Sequence, residues 1–172
     1  MIISFIGFMG AGKSTIAERL SKLLSSPHID LDLYIESKEG ITVSEIFSTS
    51  GETAFRKIEE RYLSELINNN THKVLLLSLG GGSLLSASNR RIIRDNSVCI
   101  YLKASADTLA ERLSKSRKTR PLISEIQPSD FKGHIETLLN KREKHYESTA
   151  SITIDIDGLS ANEIIERVIR LI

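Results

Sequence analysis

One octapeptide constrains this chain more than any other feature. Gly7-Phe8-Met9-Gly10-Ala11-Gly12-Lys13-Ser14 fits G-x-x-x-x-G-K-[ST]. Glycines at this spacing let the backbone fold around phosphate so that successive N–H groups point inward. A helix that follows adds its positive end. Lys13 then reaches the β- and γ-phosphates, and Ser14 offers a hydroxyl to Mg²⁺. The flanks agree. Ile2 to Ile6 is a short β-rich run, and Ile16, Leu20, Leu23 and Leu24 recur at helical spacing. Strand, loop and helix therefore follow one another directly. The spacing rejects the dinucleotide fingerprint, which needs G-x-G-x-x-G and no lysine.

Phosphate loops of this kind serve kinases, GTPases, motors and ATPases. With 172 residues the chain suits one domain, residues 1–172, which is small for a motor or recombination ATPase. No N-K-x-D base-reading segment is present, which argues against a Ras-like GTPase. The expectation is a small-molecule or nucleotide kinase, using ATP and Mg²⁺.

The rest of the chain alternates strand and helix. Strands are predicted at about 2–6, 28–31, 74–79, 98–102 and 151–156. Pro27 ends the first helix, and residues 33–38 form a second. Thr42 caps a short helix that Gly51 stops, and residues 52–67 carry Phe55, Ile58, Tyr62, Leu63 and Leu66 on one face. Further helices are expected at 83–95, 104–115 and 130–149. Ser160 caps the last, with Ile164, Ile165, Val168, Ile169 and Leu171 facing inward. Such alternation implies an α/β fold, a mostly parallel sheet with helices on both faces. Residues 115–128 differ: they carry Lys115, Arg117, Lys118, Arg120, Pro121 and Pro128 and few apolar anchors, and read as a basic mobile loop.

Composition narrows the partners. Lys plus Arg is 23 and Asp plus Glu is 22, so no global charge draws the chain to nucleic acid or an anionic membrane. The opening segment lacks the pattern of a secretory leader, and no apolar run reaches bilayer length. The single cysteine, Cys99, lies in an apolar strand and suits a reducing compartment. A cytoplasmic location is expected. The four histidines lack metal-ligand spacing and read as local or surface residues.

A kinase must also grip its acceptor, orient a hydroxyl and neutralise the moving phosphoryl group. Three clusters qualify. Asp30 and Asp32 sit at the end of the second strand, where ligands bind in such sheets, and alternation places both on one face. One carboxylate would lie near Mg²⁺ and one near the acceptor hydroxyl. Arg56 and Glu59 share a helical face one turn apart. Gly80, Gly81 and Gly82 close an apolar strand, which points to a close approach of backbone and ligand. Arg117, Arg120 and Arg142 supply positive charge for an acidic substrate and three phosphates.

Together these residues resemble the shikimate kinase family over nearly the whole chain. The carriers are G-F-M-G-A-G-K-S-T at 7–15, Asp30 and Asp32 as D-x-D, and Gly51, Glu52, Phe55, Arg56 and Glu59 as G-E-x-x-F-R-x-x-E. Gly80-Gly81-Gly82, Arg120-Pro121-Leu122, and Arg142, Tyr146 and Ala150 as R-x-x-x-Y-x-x-x-A complete the set. The resemblance implies the nucleoside-monophosphate-kinase type of P-loop fold, a three-layer sandwich with parallel strand order 2-3-1-4-5. It implies phosphate contacts from Gly7, Gly10, Ala11, Gly12, Lys13, Ser14 and Thr15. It implies that Asp32, Arg56, Glu59, the glycine triplet and Arg142 hold shikimate. Arg56 and Arg142 would clamp the carboxylate, Glu59 would hold Arg56, and Asp32 would act as base. Asp30 would position Mg²⁺ through water. Residues 33–62 would form the acceptor-binding region and 115–128 the lid. Arg120 would close over the phosphates and Lys115 or Arg117 would pack on adenine. The implied reaction is phosphorylation of the shikimate 3-hydroxyl by ATP, on the route to chorismate, by a monomer. A gluconate-type or nucleoside monophosphate kinase is the alternative.

Overall fold

The computed structural model describes residues 1–114 and 130–172. Five parallel strands form one sheet in the order 2-3-1-4-5: β1 (Ile2–Ile6), β2 (His28–Asp30), β3 (Leu75–Ser78), β4 (Val98–Lys103) and β5 (Ile152–Asp155). The expected strand order and parallel sense are both present. β1 and β3 are buried throughout, as central strands covered on both faces must be. Their register, from Ile2 opposite Leu75 to Phe5 opposite Ser78, brings the carboxyl ends of β1 and β3 within a residue of each other. The phosphate loop and the glycine triplet therefore emerge side by side, at the carboxyl ends where such sheets bind ligands.

Helices α1 (Lys13–Leu23), α2 (Leu31–Glu39), α3 (Val43–Asn68), α4 (Ala87–Asn96), α5 (Ala106–Ser114), α6 (Phe131–Thr149) and α7 (Ala161–Leu171) connect and cover the sheet. α1 packs on α7, whereas α3, α4 and α6 contact one another in turn. Capping boxes at Thr42/Glu45 and Ser160/Glu163 fix the starts of α3 and α7 as expected. Each such cap is worth about 1 kcal/mol.

Local chemistry moved several boundaries. β2 ends at Asp30, whose carboxylate accepts from the N–H groups of Asp32 and Leu33 and so caps α2. The helix therefore begins at Leu31, and Asp32 lies in its first turn. The expectation that Asp30 and Asp32 share one strand face is wrong for this reason. Gly51 ends the short first helix as expected: its φ of 77° and ψ of 170° are non-helical, and α3 is two helical stretches that meet there at a kink. Residues 83–95 divide into a 3₁₀ turn, Ser83–Leu85, and α4, which Ser86 caps. On α7 only Ile164, Ile165 and Val168 are buried, while Ile169 and Leu171 face solvent.

Candidate active site

The phosphate end is built by backbone shape. Gly7, Gly10 and Gly12 have φ of 140°, 85° and 90°, a region L side chains rarely adopt. Gly12 is the N-cap of α1, and no side chain caps that helix. Its first-turn amides thus belong to a helix start suited to an anion. Ala11 is buried, while the side chains of Ser14 and Thr15 are exposed at the mouth. Lys13 folds back and donates from Nζ to the Phe8 carbonyl at 3.0 Å.

Asp30 is a hub. Its Oδ2 accepts from Ser14 Oγ at 2.5 Å and from Ser78 Oγ at 2.9 Å, while its Oδ1 caps α2. Ser78 also meets His28 Nε2 at 3.0 Å. His28 is thus half-buried in a polar chain that reaches Ser14, where its spacing suggested only a local residue. Ser78 had one legible signal, a lone hydroxyl in an otherwise apolar strand opposite Asp30.

A second cluster is assembled around Glu59, whose side chain is fully buried. A buried carboxylate is costly unless paired and hydrogen-bonded. Glu59 Oε2 accepts from Arg56 Nη1 at 2.8 Å, and its Oε1 accepts from the buried Ser83 hydroxyl. On its other edge Arg56 donates to Glu52 Oε1 from Nε at 3.2 Å and Nη2 at 2.9 Å. Burial pulls the Arg56 pKa down, but Glu59 and Glu52 outweigh it and the net direction is up. The expected Arg56–Glu59 pair is therefore present, though as a buried one. Glu52 and Ser83 are the partners that spacing alone did not assign.

The glycine triplet is a matter of space. A Cβ on Gly80 would lie 3.0 Å from Asp32 Oδ1, and one on Gly81 would lie 2.9 Å from the Met9 nitrogen. A Cβ on Gly82 would run into the Arg56 guanidinium. The triplet lets Arg56, the phosphate loop and Asp32 converge. Arg142 is buried, donates to the Gly81 carbonyl at 3.3 Å and lies 5.5 Å from the Phe8 ring centroid. Tyr146 OH donates to the same carbonyl. Burial pushes the Tyr146 phenol well above its ordinary range, with Arg142 opposing.

Asp32 is pushed up to about 6, first by burial, then by the charges of Glu59 and Asp30, against Lys13 and Arg56. A carboxylate so poised is suited to accept a proton near neutral pH. A cavity of about 620 Å³ joins these groups, lined by Ser14, Asp30, Asp32, Arg56, Glu59, Gly80, Gly81, Gly82 and Arg142, with Met9, Phe47 and Phe55 among its apolar walls. Met9 and Ser14 of the phosphate loop thus share one space with Asp32, the Arg56–Glu59 pair and Arg142. Lys115, Arg117, Arg120 and the lid at 115–128 lie outside the described residues.

Ser14, Asp30 and Ser78 offer only oxygen atoms, the donor type a hard cation such as Mg²⁺ takes. Among the described residues no group of three or more His, Cys, Asp or Glu could hold a metal unaided. No helix among the described residues is long and apolar enough to cross a membrane.

Comparison with known proteins agrees with this geometry. The family model for shikimate kinase matches residues 9–172. A shikimate kinase of Actinobacillus pleuropneumoniae serotype 5b is 40% identical over 170 residues, covering 99% of this chain and 94% of the relative. The crystal structure of shikimate kinase from Bacteroides thetaiotaomicron superposes with a TM-score of 0.90 at 29% identity, covering 99% of this chain and 97% of that one. Shikimate kinase from Acinetobacter baumannii, solved in complex with shikimate, gives 0.88 at 31% identity over 99% and 91%. With the family model spanning nearly the whole chain and the fold shared throughout, this chain belongs to the shikimate kinase family.

Proposed function

We propose that this chain transfers the γ-phosphoryl group of ATP to the 3-hydroxyl of shikimate, giving shikimate 3-phosphate and ADP in the synthesis of chorismate and the aromatic amino acids. One observation carries the reading. The phosphate loop, a carboxylate pushed up to about 6 and two arginines all border the same cavity. An acidic polyol needs the arginines and an incoming phosphoryl group needs the loop. A proton leaving the attacking hydroxyl needs the carboxylate.

In this reading Gly7, Gly10, Ala11, Gly12, Lys13, Ser14 and Thr15 hold the phosphates of ATP. Lys13 leaves the Phe8 carbonyl and follows the charge on the β–γ bridge. Arg56 and Arg142 grip the shikimate carboxylate, Glu59 keeps Arg56 in place, and Gly80, Gly81 and Gly82 let the ring lie close to the backbone. Asp32 accepts the hydroxyl proton and orients the oxygen in line, a role worth about 10²–10⁴-fold. Ser14 would hold Mg²⁺ and Asp30 would hold its water shell, since four protein donors already occupy Asp30. The ion, when bound, neutralises charge on the phosphates. Residues 33–62 serve as the acceptor-binding region. Arg120 closes over the phosphates from a lid at 115–128, and Lys115 or Arg117 packs on adenine. A monomer is the state that the resemblance to the family implies. The buried free thiol of Cys99 and the need for ATP support a cytoplasmic reaction.

A coupled ADP-release assay with Mg²⁺ and a panel of shikimate, quinate, gluconate and nucleoside monophosphates tests the substrate. Strong turnover is expected with shikimate alone. Turnover with a nucleoside monophosphate and none with shikimate would overturn the proposal.

A further inference from the structure

We propose that Ser83 is a positioning residue that sets selectivity for the acceptor's carboxylate, acting through Glu59 on Arg56. The proposal rests on the reading that Arg56 grips that carboxylate. Ser83 and Glu59 are each fully buried, so every polar atom between them must find a partner inside the protein. The two oxygens of Glu59 divide their work: Oε1 takes the Ser83 hydroxyl and Oε2 takes Arg56 Nη1 at 2.8 Å. A carboxylate can turn about its last bond. With a donor at each oxygen it cannot turn without losing one of them.

Ser83 is itself fixed. Its N–H donates to the Gly80 carbonyl at 3.1 Å, and its carbonyl accepts from Asn89 Nδ2 at 2.9 Å. Asn89 is buried in the first turn of α4, where its own N–H meets the Ser86 cap at 3.2 Å. A rigid line therefore runs from the start of α4 through Ser83 and Glu59 to Arg56. The donor count explains why this matters. Arg56 has five N–H donors. It spends one on Glu59 and two on Glu52, which leaves two, one on each terminal nitrogen. Two is the number that a bidentate carboxylate takes.

Without the Ser83 hydroxyl, Glu59 Oε1 would stand in a dry site with no donor. The carboxylate would then turn to take a second N–H from Arg56. That turn spoils the pair reserved for the acceptor. Hydroxyls elsewhere on the acceptor would be untouched, so the loss is specific to the carboxylate.

The test compares shikimate with an analogue carrying a hydroxymethyl group in place of the carboxylate, in wild type and Ser83→Ala. In Ser83→Ala the ratio of kcat/KM for shikimate to that for the analogue should fall roughly 10–100-fold, the range for losing a hydrogen bond to a charged group. The fall should come through KM, with the analogue's own kcat/KM little changed. Proportionate losses for both acceptors, or an unaltered ratio, would overturn the role of Ser83. A wild-type enzyme that does not distinguish the two acceptors would sink the carboxylate clamp as well. Should Ser83→Ala fail to fold, Ser83→Cys keeps the size with a weaker donor, and the same ratio decides.

Discussion

A Cβ placed on Gly82 would collide with Nη2 of Arg56, closer than any real contact. Arg56 cannot easily step aside, because Glu59 and Glu52 hold it from two directions. Gly82→Ala should therefore displace the guanidinium and weaken acceptor binding. We expect the KM for shikimate to rise about 10-fold or more, the scale of one charged hydrogen bond, with the KM for ATP little changed. Steady-state kinetics with each substrate varied in turn checks this.

The two arginines should prove separable by stability. Arg56→Ala strands the fully buried Glu59, whereas Arg142 pairs with the neutral Gly81 carbonyl. Both substitutions should raise the KM for shikimate by the equivalent of roughly 2–5 kcal/mol. Only Arg56→Ala should also destabilise the apo fold strongly, by roughly 3–5 kcal/mol for a broken buried pair. Thermal melts beside kinetics measure the difference. The double variant should lose less than the sum if both arginines serve one carboxylate, as proposed.

Asp32 links pH to both rate and stability. Its carboxyl is pushed up to about 6, chiefly by burial, from 3.8. As base it must be ionised, so kcat/KM should fall on the acid side with an apparent pKa near 6. The stability effect has the opposite sign. The folded state holds this proton to higher pH than the unfolded chain, so stability falls as pH rises from about 4 through about 6. Asp32→Asn should therefore cost about 10²-fold in kcat, the lower end for loss of a general base. It should also stabilise the apo protein by about 1–3 kcal/mol above pH 7. The gain should vanish near pH 4. Denaturant titrations at the two pH values measure it.

Lys13→Ala should abolish most turnover while leaving part of ATP binding, since the loop's backbone amides remain. Calorimetric titration with a non-hydrolysable ATP analogue should still show saturable binding. Near wild-type turnover in this variant would mean that the loop is no catalytic element.

Much of this was legible in local pattern. The octapeptide at 7–14 states its own backbone shape, and the triplet at 80–82 announced a close approach because three glycines at a strand end have few other uses. Strand order followed from resemblance to a family, which hydropathy alone does not supply. What stayed hidden depends on tertiary contact. Asp32 looked like a strand residue because alternation continues from Ile29, but the Asp30 cap turns the chain into a helix one residue later. Arg56 and Glu59 looked like a helical ion pair, and nothing in their spacing shows that Glu59 is completely buried with Ser83 of the 3₁₀ turn against it. Ser83 is one serine among many until Glu59 is seen against it. Ile169 and Leu171 look apolar enough for the core, yet a surface helix has only one face to bury.

The central claim, that this site phosphorylates the 3-hydroxyl of shikimate, is tested most directly by the product. Wild-type enzyme should be incubated with ATP, Mg²⁺ and shikimate and followed by ³¹P NMR with phosphorus–proton correlation. The account predicts a new phosphomonoester coupled to the proton on carbon 3, formed in step with ADP. ADP without that resonance, or a phosphoryl group coupled to another ring proton, would contradict it.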